Sequence, residues 1–254
     1  MEISEASVRE LLTRLVDGQT RMLGDDLVGS YLYGSAITGD FDPGISDVDT
    51  VAVLGSDLTA AQLATLERLH RDIVEEMPEW EDRVEVVYLS FRALETFRTE
   101  SSAAARISPG EPFHAIEVDR RWLIDWYQLR AVGIALFGPP AASLVPVISH
   151  DEYVEAVRQH ILSWPNRVDG LVTQGAQAYT ILTMCRGLRT WRTGEHVSKR
   201  EATRWACEAL PEYANLIRDA VVWRERSRIG PRIDGTSTSD ATRRFLMDVK
   251  RMVE

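Results

Sequence analysis

Apolar positions recur at helical spacing over residues 4–23, where Val8, Leu11, Leu12, Leu15 and Met22 share one face and Ser4 stands as N-cap, so a helix opens the chain. The period then changes. Leu27–Tyr33 is an apolar and aromatic run that ends in Gly34-Ser35, the mark of a strand entering a tight turn. Residues 48–54 (VDTVAVL) and 83–90 (RVEVVYLS) have the same β-branched character and predict two further strands. Between them, residues 59–77 carry Leu63, Leu66, Leu69, Ile73 and Val74 as a helical stripe behind a Thr59 cap. Residues 92–138 mix their signals: FRALETFR reads as helix, SPGEPFH as a polar loop, and WLIDWYQLRAVGIALFG as one helix broken at Gly138, Pro139 and Pro140. Beyond the segment GPPAASLVPVIS every window is helical, at 151–163, 170–193, 198–209, 211–228 and 239–253. Ser149 or His150 caps the first of these helices, Ser198 with Glu201 forms a capping box, and Ser239 caps the last. The expected fold class is therefore α+β. A mixed sheet flanked by helices occupies 1–148, and an all-α bundle occupies 149–254.

Composition adds constraints. The 254 residues are 44% apolar and 27% charged, which excludes low-complexity disorder and disulfide-dense scaffolds. No stretch approaches the apolar length of a membrane span, and the acidic start MEISEASVRE does not read as a secretory signal. A cytoplasmic chain is expected, with Cys185 and Cys207 as reduced, helix-buried thiols. The net charge of −10 is uneven: residues 1–150 hold 12 basic and 25 acidic side chains, a net of −13, whereas residues 151–254 hold 17 and 14, a net of +3. The first part repels nucleic acid and suits metal ions or a cationic substrate; the second suits a compact anion such as a nucleotide phosphate. Of the 29 basic residues only Lys199 and Lys250 are lysines, a bias that reflects genome composition.

The segment YGSAITGDFDPGISDVDTVAVL carries the chemistry. Residues two apart on a strand project to one face, so Asp47 and Asp49 point the same way and offer hard oxygen ligands for Mg²⁺. Gly34 lets the backbone approach a phosphate, the N–H groups of Ser35 and Ala36 suit a helix N-terminus, and Ser35 and Ser46 add hydroxyls. On local pattern alone, Asp40, Asp42, Asp47 and Asp49 serve equally well as turn formers in a Gly/Pro loop. Glu85 shifts that balance. It sits between Val84 and Val86 in an otherwise apolar strand, and a buried acid needs a partner. If its strand lies beside that of Asp49, three acids converge where like charges demand a metal or a raised pKa.

A Gly-Ser pair at a strand end, a loop of about a dozen residues, Asp-x-Asp and a later strand carboxylate together resemble the polymerase-β-like nucleotidyltransferases. Within that superfamily, the Glu in RVEVVYLS, the FGPP segment and the helical ILTMCRGLRTWRTGEHVSKREATRWACEALP are similar to the aminoglycoside O-adenylyltransferases acting on streptomycin and spectinomycin. The resemblance implies in-line attack of a drug hydroxyl on the α-phosphorus of ATP with loss of pyrophosphate. It implies two Mg²⁺ ions, one shared by Asp47 and Asp49 and the other on the triphosphate tail, Glu85 as general base, and Arg186 and Lys199 closing over phosphates that lie between the domains. The implied partners are ATP and a small cationic antibiotic, with no nucleic acid and no membrane, and the chain is expected to be a monomer. On the acceptor side the chain departs from the family. In SWPNRVDGLVTQGAQAYT, Asp169 is the sole carboxylate, and Ala176 and Tyr179 fall where the family has an acid and a His. A family Trp is replaced within GEPFH, leaving Glu111, Phe113 and His114 as lining beside Glu85, while Trp164, Trp191, Trp205 and Trp223 read as core. Two alternatives follow from those departures: the same fold with a protein hydroxyl as acceptor, of toxin–antitoxin type, or a nucleotide-sensing module without turnover.

Overall fold

The computed structural model describes residues 6–164, 171–230 and 232–254. It divides into two compact units, Met1–Ile148 and Ser149–Glu254. In the first, α1 (Ala6–Leu23), β1 (Leu27–Tyr33), α2 (Ser35–Thr38), β2 (Val48–Leu54), α3 (Ala60–Glu76) and β3 (Val84–Ser90) come first. They are followed by α4 (Phe91–Thr96), β4 (Ser102–Ser108), β5 (Glu111–Val118), α5 (Leu123–Val132), β6 (Ile134–Phe137) and α6 (Ala141–Leu144). The strands form one sheet in the order β5-β4-β3-β2-β1-β6, with β2 and β3 parallel and every other neighbouring pair antiparallel.

Parallel pairing of β2 with β3 requires a crossover, and α3 supplies it. The central strands are apolar on both faces and almost wholly buried, as strands covered on both sides must be. One face carries Tyr88, whose hydroxyl accepts from Gln19 on α1 at 3.2 Å and meets His70 on α3 at 2.9 Å. Gly18 allows α1 and α3 to approach, because a Cβ there would strike the Leu69 side chain. Thr59 caps α3 with a full capping box closed by Gln62.

Residues 92–138 differ from the expectation in two places. SPGEPFH is not a loop but the turn and start of the hairpin β4–β5, with Pro109 and Gly110 (φ 80) between the strands. The expected single helix stops at Gly133, where a Cβ would collide with the carbonyl oxygen of Leu129, and the chain continues as β6 along the free edge of β1. β5 is an edge strand with mostly half-exposed positions and Pro112 near its start, a placement that proline tolerates at a sheet edge.

In the second unit, α8 (Gln174–Thr193) packs against α7 (His150–Ser163), α9 (Lys199–Ala209), α10 (Ala214–Ile229) and α11 (Ser239–Val253). Ser149, not His150, caps α7, and Ser198 caps α9 by accepting from the Glu201 N–H at 3.1 Å. Thr238 rather than Ser239 occupies the cap of α11, and its hydroxyl is used elsewhere. The buried Gln177 amide joins the layers: its NH₂ donates to the carbonyls of Leu171 (2.9 Å) and Gly235 (2.6 Å), and its oxygen accepts from Thr238 and Thr242, each at 2.8 Å. Trp164 and Trp223 are core residues, whereas Trp191 and Trp205 are half-exposed, Trp205 between the guanidinium groups of Arg189 and Arg192. Cys185 is buried and Cys207 half-buried, and both thiols are free. No helix among the described residues is long and apolar enough to cross a membrane.

Candidate active site

Pairing register brings the acids together. Tyr33 on β1 lies opposite Asp49 on β2, and Asp49 lies beside Glu85 on β3, so the three side chains form one cross-strand row on the sheet face opposite Tyr88. Asp47 precedes β2 by one residue, and one oxygen from each of Asp47, Asp49 and Glu85 lies within 4.8 Å of the others. All three are half-buried.

The turn after β1 makes room for this cluster. Gly34 has φ 72 and ψ −150, a conformation that a side chain opposes. The space its side chain would fill is taken by Asp49: a Cβ would stand 2.8 Å from the Asp49 Cγ and closer still to Oδ2. The missing side chain thus seats the Asp49 carboxylate. The following α2 is four residues long, too short to sum the peptide dipoles of a full helix. The Ser35 Oγ is buried with no hydrogen-bond partner in the described protein. Ser46 braces the loop: its Oγ accepts from the Asp42 N–H at 3.0 Å, and its carbonyl accepts from Arg83 Nε and Nη2 at 3.1 and 2.8 Å. Arg83 also lies 4.5 Å above the Trp80 ring and donates to the Glu79 carbonyl at 3.2 Å. The segment that presents Asp47 is thus tied to the start of the strand that presents Glu85.

Burial pushes the Glu85 carboxyl up to about 7; the Arg106 guanidinium opposes that rise, and the charges of Asp47 and Asp125 add to it. Tyr33 is held as a neutral phenol, first by burial and then by Asp125, Glu85 and Asp49. Arg106 is on β4 opposite Val87, on the acid-bearing face, and its Nη2 meets Glu85 Oε1 at 3.2 Å. Its guanidinium is also 5.8 Å from the Trp122 ring, which stacks on Trp126 at 5.6 Å. Tyr33, Arg106, Trp122 and Asp125 belong to this site and were missed in the sequence. The same signal that singled out Glu85, a charge inside an apolar window, marks Asp125 in WLIDWYQ and Arg106 in SAAARIS. As a set, the three carboxylates are hard oxygen donors at one end of two adjacent strands, and that donor chemistry fits Mg²⁺.

Glu111 opens β5 at the hairpin, where it accepts from the Ser108 hydroxyl at 3.1 Å and lies 3.9 Å from His114. It also lines a cavity of about 550 Å³ against α3 and Trp80. Phe113 is on the opposite face, stacked on His70 at 5.7 Å. Asp169 lies outside the described residues. In the second unit, Arg186 and Tyr179 are two turns apart on one stripe of α8, and Lys199 Nζ is 5.5 Å from the Tyr179 ring. His196 is pushed down to about 4, by burial and then by the Arg186 charge, and meets the Tyr153 hydroxyl at 3.2 Å.

Residues 143–236 match the family model described as aminoglycoside adenylyltransferase, C-terminal domain. Over 207 residues the chain is 28% identical to spectinomycin 9-adenylyltransferase of Staphylococcus aureus strain Mu50, a match covering 77% of each protein, and the protein of strain N315 matches to the same extent. Its fold is similar to the crystal structure of a spectinomycin adenyltransferase, AAD(9), from Enterococcus faecialis with ATP and spectinomycin. That match has a TM-score of 0.76 and 20% identity, over 96% of this chain and 99% of that one.

Proposed function

We propose that this chain, a nucleotidyltransferase that belongs to the aminoglycoside adenylyltransferase family, transfers the adenylyl group of ATP to a hydroxyl of a spectinomycin- or streptomycin-type aminocyclitol. The observation that carries the reading is the convergence of Asp47, Asp49 and Glu85 within 4.8 Å of one another. In the reaction, the acceptor oxygen bonds to the α-phosphorus as the bond to the bridging oxygen of the β-phosphate breaks, and pyrophosphate leaves. Glu85 takes the hydroxyl proton. A carboxyl raised to about 7 suits that task near neutral pH, because it is ionised often enough to act and basic enough to accept. Asp47 and Asp49 would hold Mg²⁺, which supplies neutralisation of phosphate charge and acidifies a bound hydroxyl. Gly34, Ser35 and Ser46 shape the nucleotide side of the site from the first unit. Arg186 and Lys199 supply the positive charge for the triphosphate from the second. On the acceptor side, Glu111 and Asp169 complement the ammonium groups of a cationic drug.

The test is pyrophosphate release with ATP and Mg²⁺ across streptomycin, spectinomycin and a 2-deoxystreptamine aminoglycoside, with Glu85→Gln beside the wild type. Drug-dependent release is expected, reduced roughly 10²- to 10⁴-fold in the variant, the usual contribution of a positioned general base. Release with none of the three drugs, in a protein that still binds ATP, overturns the drug-acceptor reading.

A further inference from the structure

Arg106 is an expensive residue to place where it is. Its side chain is 29% exposed and that of Glu85 is 17%, so both charges have lost most of their water. A pair of this kind contributes little to stability that two apolar side chains of the same volume would not match. Its presence beside the acid row therefore asks for another reason. Glu85 is the one ion-pair partner of Arg106 among the described residues, and the Arg106 Nε is buried without a hydrogen-bond partner, so no wider polar network holds the guanidinium. What holds it is position: the β4 backbone opposite Val87, Glu85 in front, and the Trp122 ring 5.8 Å away, itself stacked on the fully buried Trp126. A guanidinium so confined presents a fixed donor to one oxygen, Glu85 Oε1, at 3.2 Å.

We propose that Arg106 is a positioning residue of this enzyme: by binding one Glu85 oxygen, it fixes the carboxylate plane so that Glu85 faces the acceptor hydroxyl beside Asp47 and Asp49. The inference rests on the role given to Glu85 above and adds a residue to it. A carboxylate beside two others is repelled by both and has rotamers that turn it away; a fixed cation on the far side cancels that tendency without contacting substrate. Arg106 then acts on the chemical step and not on nucleotide binding.

The experiment measures kcat and the KM for ATP in Arg106→Gln, Arg106→Lys, Glu85→Gln and the double variant Arg106→Gln/Glu85→Gln. Thermal melting checks that each is folded. Loss of an outer partner of a functional group typically costs roughly 10- to 100-fold, so kcat of Arg106→Gln should fall by that factor with the KM for ATP within about twofold of wild type. Arg106→Lys, which keeps the charge but not the fork, should fall between the two. In the Glu85→Gln background, removing Arg106 should change the residual rate, read with radiolabelled ATP, by less than about twofold, because a residue acting through Glu85 has nothing left to act on. An undiminished kcat in Arg106→Gln, a rise in KM alone, or a full further loss in the double variant each overturns the proposal. If Glu85→Gln keeps wild-type turnover, the reading of Glu85 as base fails and takes this inference with it. If Glu85→Gln is inactive while Arg106→Gln is not, the inference alone fails.

Discussion

Replacing Gly34 by alanine tests the site at the point where backbone and chemistry meet. The added methyl group meets two costs. The first is conformational: φ 72 with ψ −150 lies at the edge of a region that residues with a Cβ occupy at a cost of about 1–3 kcal/mol. The second is steric. The new Cβ would lie 2.8 Å from the Asp49 Cγ and 3.1 Å from its Cβ, inside the 3.4 Å of ordinary contact, so Cγ must retreat by at least 0.6 Å. The oxygen nearer to Gly34 must move further. Asp49 cannot swing out freely, because it is a short side chain on a central strand with Tyr33 on one side and Glu85 on the other. Movement toward Glu85 presses two carboxylates together. A misplacement of about 1 Å at a reacting centre costs on the order of 100-fold in rate. Gly34→Ala should therefore lower the melting temperature by roughly 2–4 °C for each of those 1–3 kcal/mol, and reduce pyrophosphate release about 100-fold at saturating ATP. The decisive variant is Gly34→Ala/Asp49→Ala, which removes the obstacle. If the clash is real, the double variant melts higher than the sum of the single effects predicts. Wild-type melting and turnover in Gly34→Ala, or strict additivity in the pair, would refute the reasoning.

Acid should unfold the first unit through His70, whose burial pushes its pKa down to about 3. The Tyr88 hydroxyl accepts from Gln19 and so donates its own hydrogen to His70 Nε2, an arrangement that needs a neutral imidazole. Below about pH 6.5 the unfolded chain takes a proton that the native state refuses, so this stabilisation is complete above that pH and falls by about 1.4 kcal/mol per unit on the way down to 3. Between pH 7 and 5 urea unfolding should show wild type losing about 2 kcal/mol more than His70→Gln, and equal slopes would exclude the mechanism. In the second unit, Gln177→Leu strands the Leu171 carbonyl and removes the acceptor shared by the Thr238 and Thr242 hydroxyls, which keep only the carbonyls of Gly235 (3.0 Å) and Thr238 (3.2 Å). At about 1–3 kcal/mol for a buried unsatisfied group, the loss should be about 1–3 kcal/mol by chemical denaturation followed by far-UV dichroism, and an unchanged midpoint would show the network to be dispensable.

What the sequence revealed follows from how strongly burial constrains each element. The strands β1, β2 and β3 are legible because they are covered on both faces, so nearly every position must be apolar and β-branched residues accumulate. β4 and β5 hide because an outer hairpin buries little: Ser102, Ala103, Ala104 and Ala105 supply no bulk, and β5 mixes Glu111, Pro112, His114 and Glu117 among its few apolar positions. β6 hides for another reason, since Ile134–Phe137 continues the apolar content of α5 without a break in composition, and only Gly133 marks the change of period. The caps were legible where a Ser or Thr side chain has a free N–H in reach, as at Thr59, Ser149 and Ser198. Thr238 makes no such cap because its backbone is already helical (φ −109, ψ −5), unlike the extended Thr59, Ser149 and Ser198.

The acids of the site could be named from the sequence because a strand converts spacing into direction: Asp47 and Asp49 share a face by parity, and Glu85 is conspicuous among valines. Register is what the sequence does not carry. Whether Asp49 stands beside Glu85 or one residue away depends on how α3 returns the chain to β3, and a slip of one residue would turn Glu85 toward His70 and send Tyr88 to the opposite face. That slip would bury a carboxylate against α1 and α3 with no cation near it, while Arg106 would face the acid row unpaired. Only the observed register gives Glu85 and Arg106 each other and keeps Val84, Val86 and Tyr88 on the helix-covered face. The cost of misplacing two charges thus helps to select the strand alignment that assembles the site, so the groups that perform the chemistry also take part in specifying the fold.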